Sequence, residues 1–239
     1  MHIAAPLIRT HAAQPNFLRR AFPTRVVYVK YSTYHQGLNS KMNFNLPPTS
    51  PIASLKGWFS EAEAAQASPN PLAVALSTVG PYGAPSSRMV LLKGFDENGA
   101  VFYTNYTSDK ASDIEKNPNV SLLFHWDNMQ RQIRIQGKAT KVTAEESDTY
   151  FESRHRLSQV GAWASKQSQP LNSRTVLLAK VEALTEKWIG CSVPRPEFWG
   201  GYRVSLDLVE LWQGHDGRLH DRIQYTCSNG EWSWQLLQP

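Results

Sequence analysis

Hydrophobic and polar positions repeat along this chain with two periods. Within residues 51–67, Ile52, Leu55, Trp58, Phe59 and Ala62 recur at helical spacing, and Ser50 stands before them as an N-cap residue. Together they predict an amphipathic helix. The pattern then shortens to short apolar or alternating runs, which predict strands at residues 72–78, 87–93, 100–105, 120–126 and 132–142. Gly80-Pro-Tyr-Gly83 and Asp96-Glu-Asn-Gly99 carry turn chemistry between the first strands.

Helical patterns are interspersed. Residues 108–116 predict a short helix stopped by Asn117-Pro118, and Thr143-Ala-Glu-Glu146 is a capping box opening a helix to about residue 154. Further helices are expected at 157–166 and 173–187, followed by a Pro-containing loop at 191–196 and three final strands. Roughly seven short strands in hairpin order predict a mainly β protein with helices, an antiparallel barrel rather than a βαβ sheet. No Gly-x-Gly-x-x-Gly follows the first strand and no Walker-type loop is present, so a nucleotide here is not held in the Rossmann manner.

The densest candidate chemistry is Trp212-Gln-Gly-His-Asp-Gly-Arg218-Leu-His220-Asp-Arg222, between strand-like runs. A hairpin turning at Gly214 and Gly217 would project Arg218, His220 and Arg222 from one face of its second strand. Such a face cannot form an apolar core and calls for an anionic or planar polar partner. Taken alone it also reads as a solvated edge strand. Trp212 and the upstream Trp199-Gly-Gly-Tyr202 argue for a pocket.

Charge narrows the function classes. The chain carries a formal +5, but residues 1–60 hold seven Lys or Arg and no acid, leaving 18 basic against 20 acidic residues in the remainder, a net of −2. The body therefore lacks a basic face for nucleic acid, and functional positive charge must be local. No apolar run approaches the ~20 residues that span a bilayer, so no membrane partner is expected. Cys191 and Cys227 lack metal-ligand spacing, no metal site is expected, and His125 reads as a core or interface residue. Residues 1–30 have the Arg-containing, acid-free composition of a transit peptide or a disordered tail, and residues 31–50 read as an extended lead-in to one domain at 51–239. The expected compartment is the cytoplasm, or the mitochondrion if residues 1–30 act as a transit peptide.

From about Ile52 onward the motifs resemble the pyridoxamine 5′-phosphate oxidase family. They are Arg88-Met-Val-Leu-Leu-Lys93, Tyr103-Thr104, Ser108-Asp-Lys110, Arg131-Gln-Ile-Arg-Ile-Gln-Gly137, Tyr150-Phe-Glu-Ser-Arg154, Ser158-Gln-Val-Gly-Ala-Trp163, Gln167-Ser168, Trp199-Gly-Gly-Tyr-Arg203, Trp212-Gln-Gly and Arg218-Leu-His-Asp-Arg222. The resemblance implies an FMN-binding split β-barrel with FMN at a homodimer interface. It implies FMN contacts from Arg88, Met89, Val90, Leu91, Tyr103, Thr104, Lys110, Gln132, Gln167, Ser168, Trp212 and Arg222. It implies a substrate phosphate on Lys93, Tyr150, Arg154 and Ser158, with Arg218 and His220 facing the pyridine ring as the catalytic pair.

The implied reaction oxidises pyridoxine or pyridoxamine 5′-phosphate at C4′. Dioxygen reoxidises the flavin to give hydrogen peroxide, and the amine substrate releases ammonia on the way to pyridoxal 5′-phosphate. One departure is Asp109, where the family usually carries a phosphate-binding arginine. It keeps open a second reading, a split-barrel protein that binds flavin or pyridoxal phosphate as a carrier or sensor with little turnover. A flavin reductase on the same barrel would not need the phosphate and ring-facing groups together.

Overall fold

The computed structural model describes residues 42–239. The expected transit peptide or tail and the first part of the lead-in, residues 31–41, lie outside the described residues. Met42 and Phe44 pack against the core, and the Tyr225 hydroxyl donates to the Pro48 carbonyl at 3.2 Å.

Helix α1 (Ile52–Ala64) buries the predicted stripe of Leu55, Trp58, Phe59 and Ala62. Its N-cap is Pro51 rather than Ser50; the Ser50 hydroxyl instead accepts a 3.4 Å hydrogen bond from the Ile52 amide. It ends three residues earlier than the apolar pattern, because Gln66 turns left-handed (φ 46°) and the Ala67 amide donates back to the Ala62 carbonyl.

The strands β1 (Ala73–Val79), β2 (Pro85–Asp96) and β3 (Gly99–Asn105) form an antiparallel meander. After α2 (Asp109–Lys116) come β4 (Asn119–Trp126) and β5 (Arg131–Lys141), then α3 (Ala144–Ser153), α4 (Arg156–Ala164) and α5 (Arg174–Lys187). Thr143 caps α3 by accepting from the Glu146 amide, as the capping box predicts. The chain finishes in β6 (Trp199–Val204), β7 (Leu208–Gln213), β8 (Asp221–Ser228) and β9 (Glu231–Leu236).

There are thus nine strands among the described residues rather than about seven, and four at the end rather than three. The unforeseen one is β9, an edge strand exposed along most of its length, so its sequence carries no burial alternation.

A closed six-stranded antiparallel barrel results: β1 pairs with β2, β2 with β3, β3 with β6, β6 with β5, β5 with β4, and β4 with β1. Strand β5 makes this possible by changing partner along one edge. Residues Arg131 to Gln136 pair with β7, and Ala139 to Lys141 pair with β6. The crossover falls at Gly137, where any Cβ would overlap the Ser205 carbonyl oxygen. Strands β7, β8 and β9 therefore splay from the barrel as a sheet extension.

Two cores result. The barrel core is built on aromatics such as Trp58, Phe102, Phe124 and Trp126. A smaller one, of Phe151, Val160, Trp188, Val193 and Trp199, lies with the helices. Strand β3 joins them, with Phe102 in the barrel core and Tyr103 packed against the helical one.

Candidate functional site

Where β2 and β3 meet α3 and α4, a cleft of about 460 Å³ opens. Eleven of the predicted site residues line it. Met89, Val90, Leu91 and Lys93 come from β2, Tyr103 and Thr104 from β3, and Lys110 from α2. Tyr150 belongs to α3, Arg154 to its C-cap, Ser158 to α4 and Gln167 to the loop beyond. Tyr150, Arg154 and Ser158 do not share one continuous helix, since Arg154 is extended (ψ 148°) and a new helix starts at Arg156. The bend still leaves all three on the cleft wall.

One cationic position is Lys110. Its ammonium is buried and donates only to neutral oxygens: Thr104 Oγ1 at 3.2 Å, Ser108 Oγ at 3.1 Å and Gln167 Oε1 at 3.0 Å. Burial, then the Arg88 charge, pushes its pKa down to about 8, while Asp109 acts in the opposite sense. Arg88 lies near but does not line the cleft; it donates to Thr78 Oγ1 at 2.7 Å and Ser86 Oγ at 2.8 Å and lies 3.7 Å from Asp113. Ser168, at φ 70°, accepts from the Asp109 amide at 3.2 Å and so closes the N-terminus of α2. The Asp109 side chain is exposed. A buried cation held by hydroxyls and an amide oxygen beside a helix N-terminus can hold an anion.

The second position is Arg154. Its guanidinium lies 4.5 Å from the Trp199 ring centroid, and its Nη1 is buried with no hydrogen-bond partner among the described residues. Burial holds its pKa below the usual arginine value. Such an orphaned donor costs about 1–3 kcal/mol unless a ligand meets it. Tyr103 stacks on Tyr150 at 3.9 Å and on Trp199 at 5.5 Å, forming an aromatic wall. Burial, then Glu146, raises the Tyr103 phenol to about 12, so it remains a neutral donor. Among the cleft residues that sequence reasoning left out of the site, Trp199 completes this aromatic wall. The Trp199-Gly-Gly-Tyr202 run signals it, because Gly200 and Gly201 admit Tyr106 and Tyr103 side chains where a Cβ would clash.

The remaining predicted residues lie elsewhere on the chain. Gln132, Trp212 and Arg222 are direct cross-strand neighbours on β5, β7 and β8 and share one face of the sheet extension. Arg222 donates to Glu210 Oε1 from Nε at 2.9 Å and from Nη2 at 2.7 Å, and to the Gln238 carbonyl at 2.9 Å.

The expectation that Arg218, His220 and Arg222 project from one strand face is corrected. Strand β8 begins only at Asp221; Arg218 closes a 3-10 turn with φ 62° directly after Gly217 at φ 66°, and His220 lies between turn and strand. Two successive left-handed residues break the period-two alternation. His220 packs on Trp212 at 4.6 Å and accepts the His215 amide hydrogen on Nδ1 at 3.1 Å, while His215 Nε2 meets Asp221 at 2.7 Å.

Comparison with known proteins agrees with this geometry. The profile described as pyridoxamine 5′-phosphate oxidase matches residues 60–188, and that described as the pyridoxine 5′-phosphate oxidase C-terminal dimerisation region matches residues 199–239. A pyridoxine/pyridoxamine 5′-phosphate oxidase of Acaryochloris marina is 46% identical over 202 residues, 84% of this chain and 90% of that protein. One of Rubrobacter xylanophilus is 50% identical over 190 residues, 79% of this chain and 87% of that protein. Among solved structures, PhzG of Burkholderia lata, in complex with tetrahydrophenazine-1-carboxylic acid, superposes with a TM-score of 0.79 at 31% identity, covering 86% of this chain and all of that one. With both parts of the chain matched and relatives near half identical along most of their length, the chain belongs to the pyridoxamine 5′-phosphate oxidase family.

Proposed function

We propose that this chain oxidises pyridoxine 5′-phosphate and pyridoxamine 5′-phosphate to pyridoxal 5′-phosphate with FMN and O2, as a homodimer. The observation that carries this reading is the pair of separate cationic positions in one cleft, Lys110 and the orphaned Arg154. Two phosphates, one on the flavin and one on the substrate, account for both. The PhzG ligand bears a carboxylate and no phosphate by name; Arg154 with Tyr150, Ser158 and Lys93 is better suited to a doubly charged phosphate ester.

The residues present fit FMN. Lys110, Arg88 and Ser168 at the start of α2 would hold its phosphate, and Met89, Val90, Leu91 and Thr104 would line its ring system. When bound, FMN takes up the two electrons lost from C4′ and passes them to O2, giving hydrogen peroxide.

The protein's share is binding and orientation. Arg154, Ser158 and Lys93 fix the substrate phosphate, and the Tyr103–Tyr150–Trp199 wall excludes water from one side. Gln132, Trp212, Arg218, His220 and Arg222 do not line this chain's cleft, so a second copy must bring them to it; the dimerisation region spans them from Trp212 onward. His220, accepting on Nδ1, carries its proton on Nε2 when neutral and offers a donor to the ring substituents of the substrate. Arg218 holds the substrate and stabilises negative charge that develops on the C4′ oxygen as its proton leaves.

The reading is tested by loading the purified protein with FMN, removing free flavin, and following pyridoxal phosphate and peroxide formation from each substrate in air. Stoichiometric product and peroxide support it. Retained flavin without product would favour the carrier or sensor reading, which Asp109 keeps in view.

A further inference from the structure

Glu210 is out of place. On β7 it alternates with Val209 and Leu211, which point into the barrel-side core, so it belongs to the same sheet face as Trp212. That face otherwise carries half-exposed side chains, yet the Glu210 side chain is only 7% exposed. It is covered by two arginines. Arg134, opposite it on β5, donates from Nε to Oε2 at 3.2 Å and from Nη2 to the same oxygen. Arg222, from β8, takes the other oxygen through Nε and Nη2.

A single arginine would satisfy a structural ion pair. The second leaves the triad with a net charge of +1, and a partly buried excess charge is costly unless something uses it. Burial alone would raise the Glu210 carboxyl; the hydrogen bonds and charges of Arg134 and Arg222 outweigh it and keep the group below the usual carboxylate range. It is therefore a fixed anion.

The hydrogen-bond count points the same way. Two guanidiniums offer ten N–H donors, and five are accounted for by Glu210 and the Gln238 carbonyl. The rest meet no acceptor among the described residues, and both arginines share a sheet face with Gln132 and Trp212. Resting on the flavin reading above, we propose that Glu210 is a positioning residue that locks Arg134 and Arg222 side by side and sets the net charge presented to the flavin at +1. Arg134 thereby joins Arg222 as a cation of the flavin environment.

A positive charge near the ring stabilises the reduced, more anionic flavin and raises its potential. The variants Glu210→Gln and Arg134→Met change the triad's charge in opposite directions, to +2 and to 0. The experiment measures the midpoint potential of bound FMN in the loaded dimer for wild type, both variants and Glu210→Asp. The expected result is an upward shift for Glu210→Gln, a downward shift for Arg134→Met, and a value near wild type for Glu210→Asp.

Shifts of the same sign, or none in protein that still holds FMN, overturn the proposal, because disruption of packing alone has no reason to reverse sign with charge. If Glu210→Gln does not fold, Arg134→Met decides: a fall supports the proposal and an unchanged or higher potential overturns it. Wild-type protein that holds no FMN would sink the flavin reading itself, a result distinct from unchanged potentials.

Discussion

The Lys110 ammonium and the Gln167 side chain, 57 residues apart in sequence, are joined by a 3.0 Å hydrogen bond across the cleft wall. Thr104 Oγ1 also donates to Gln167 Oε1 at 3.0 Å, so the amide oxygen ties β3, α2 and the loop after α4 together. This arrangement holds a cation in place without neutralising it. Anion binding is then favourable because the desolvation of Lys110 has already been met by the fold.

That relationship sets a pH dependence. Lys110 falls from 10.5 to about 8 in the folded protein. The cofactor-free fold therefore binds fewer protons here than the unfolded chain, and this group's contribution to stability declines as pH drops from 10.5 to about 8. A bound phosphate favours the charged lysine and reverses the effect. FMN affinity should be greatest between about pH 6, where the phosphate loses its second proton, and about pH 8. Above that it should weaken by at most about tenfold per pH unit. Fluorescence titration checks this, and Lys110→Met should bind weakly and lose the alkaline decline.

Arg154→Ala should raise the KM for the phosphorylated substrate while leaving FMN content near wild type. Loss of one charge-assisted contact is worth about 2 kcal/mol, roughly thirtyfold in kcat/KM. Arg154→Lys should recover only part, since a lysine lacks the planar group that lies over Trp199. Steady-state kinetics with flavin quantified in the same samples separate the two effects.

Asp109→Arg should tighten FMN binding. Asp109 lies in the first turn of α2, close enough to influence both Arg88 and Lys110, and an acid there opposes a phosphate. Reversing its charge should lower the dissociation constant by about tenfold, the scale of one partly exposed charge-assisted contact. An unchanged constant would show that the exposed carboxylate turns away from the phosphate.

Leu123→Glu should yield monomer with little retained FMN. Met89 (62% exposed), Leu91 (42%) and Leu123 (39%) present apolar surface on the same sheet side as Gln132, through the pairings of β2 with β1, β1 with β4 and β4 with β5. A carboxylate at Leu123 should be incompatible with a dimer that buries this face. Light scattering coupled to size exclusion gives the mass, and the flavin absorbance of each peak gives the occupancy.

Much of the fold was legible because local signals agreed with the tertiary ones. The stripe of Leu55, Trp58, Phe59 and Ala62, the Thr143 cap and the Asp96 to Gly99 turn each needed only neighbouring residues. The cleft was legible through motifs: Lys110, Tyr150, Arg154, Ser158 and Gln167 were named from sequence and converge in space. What remained hidden depended on distant pairing. Nothing local shows that β5 leaves β7 for β6 at Gly137, and that switch sets Gln132 beside Trp212 on the sheet extension rather than beside β6. Arg218 breaks alternation because it adopts a left-handed conformation rare for a side-chain-bearing residue. Glu210 reads as one polar residue in an apolar strand until Arg134, 76 positions earlier, is brought opposite it.

The most direct test of the account is anaerobic. Pyridoxine 5′-phosphate is added to the FMN-loaded protein and the visible flavin absorption is followed. The expected result is bleaching, with pyridoxal phosphate formed in equal amount, and return of the oxidised spectrum when air is admitted. Flavin that stays oxidised with both pyridoxine and pyridoxamine 5′-phosphate, although retained by the protein, would contradict it.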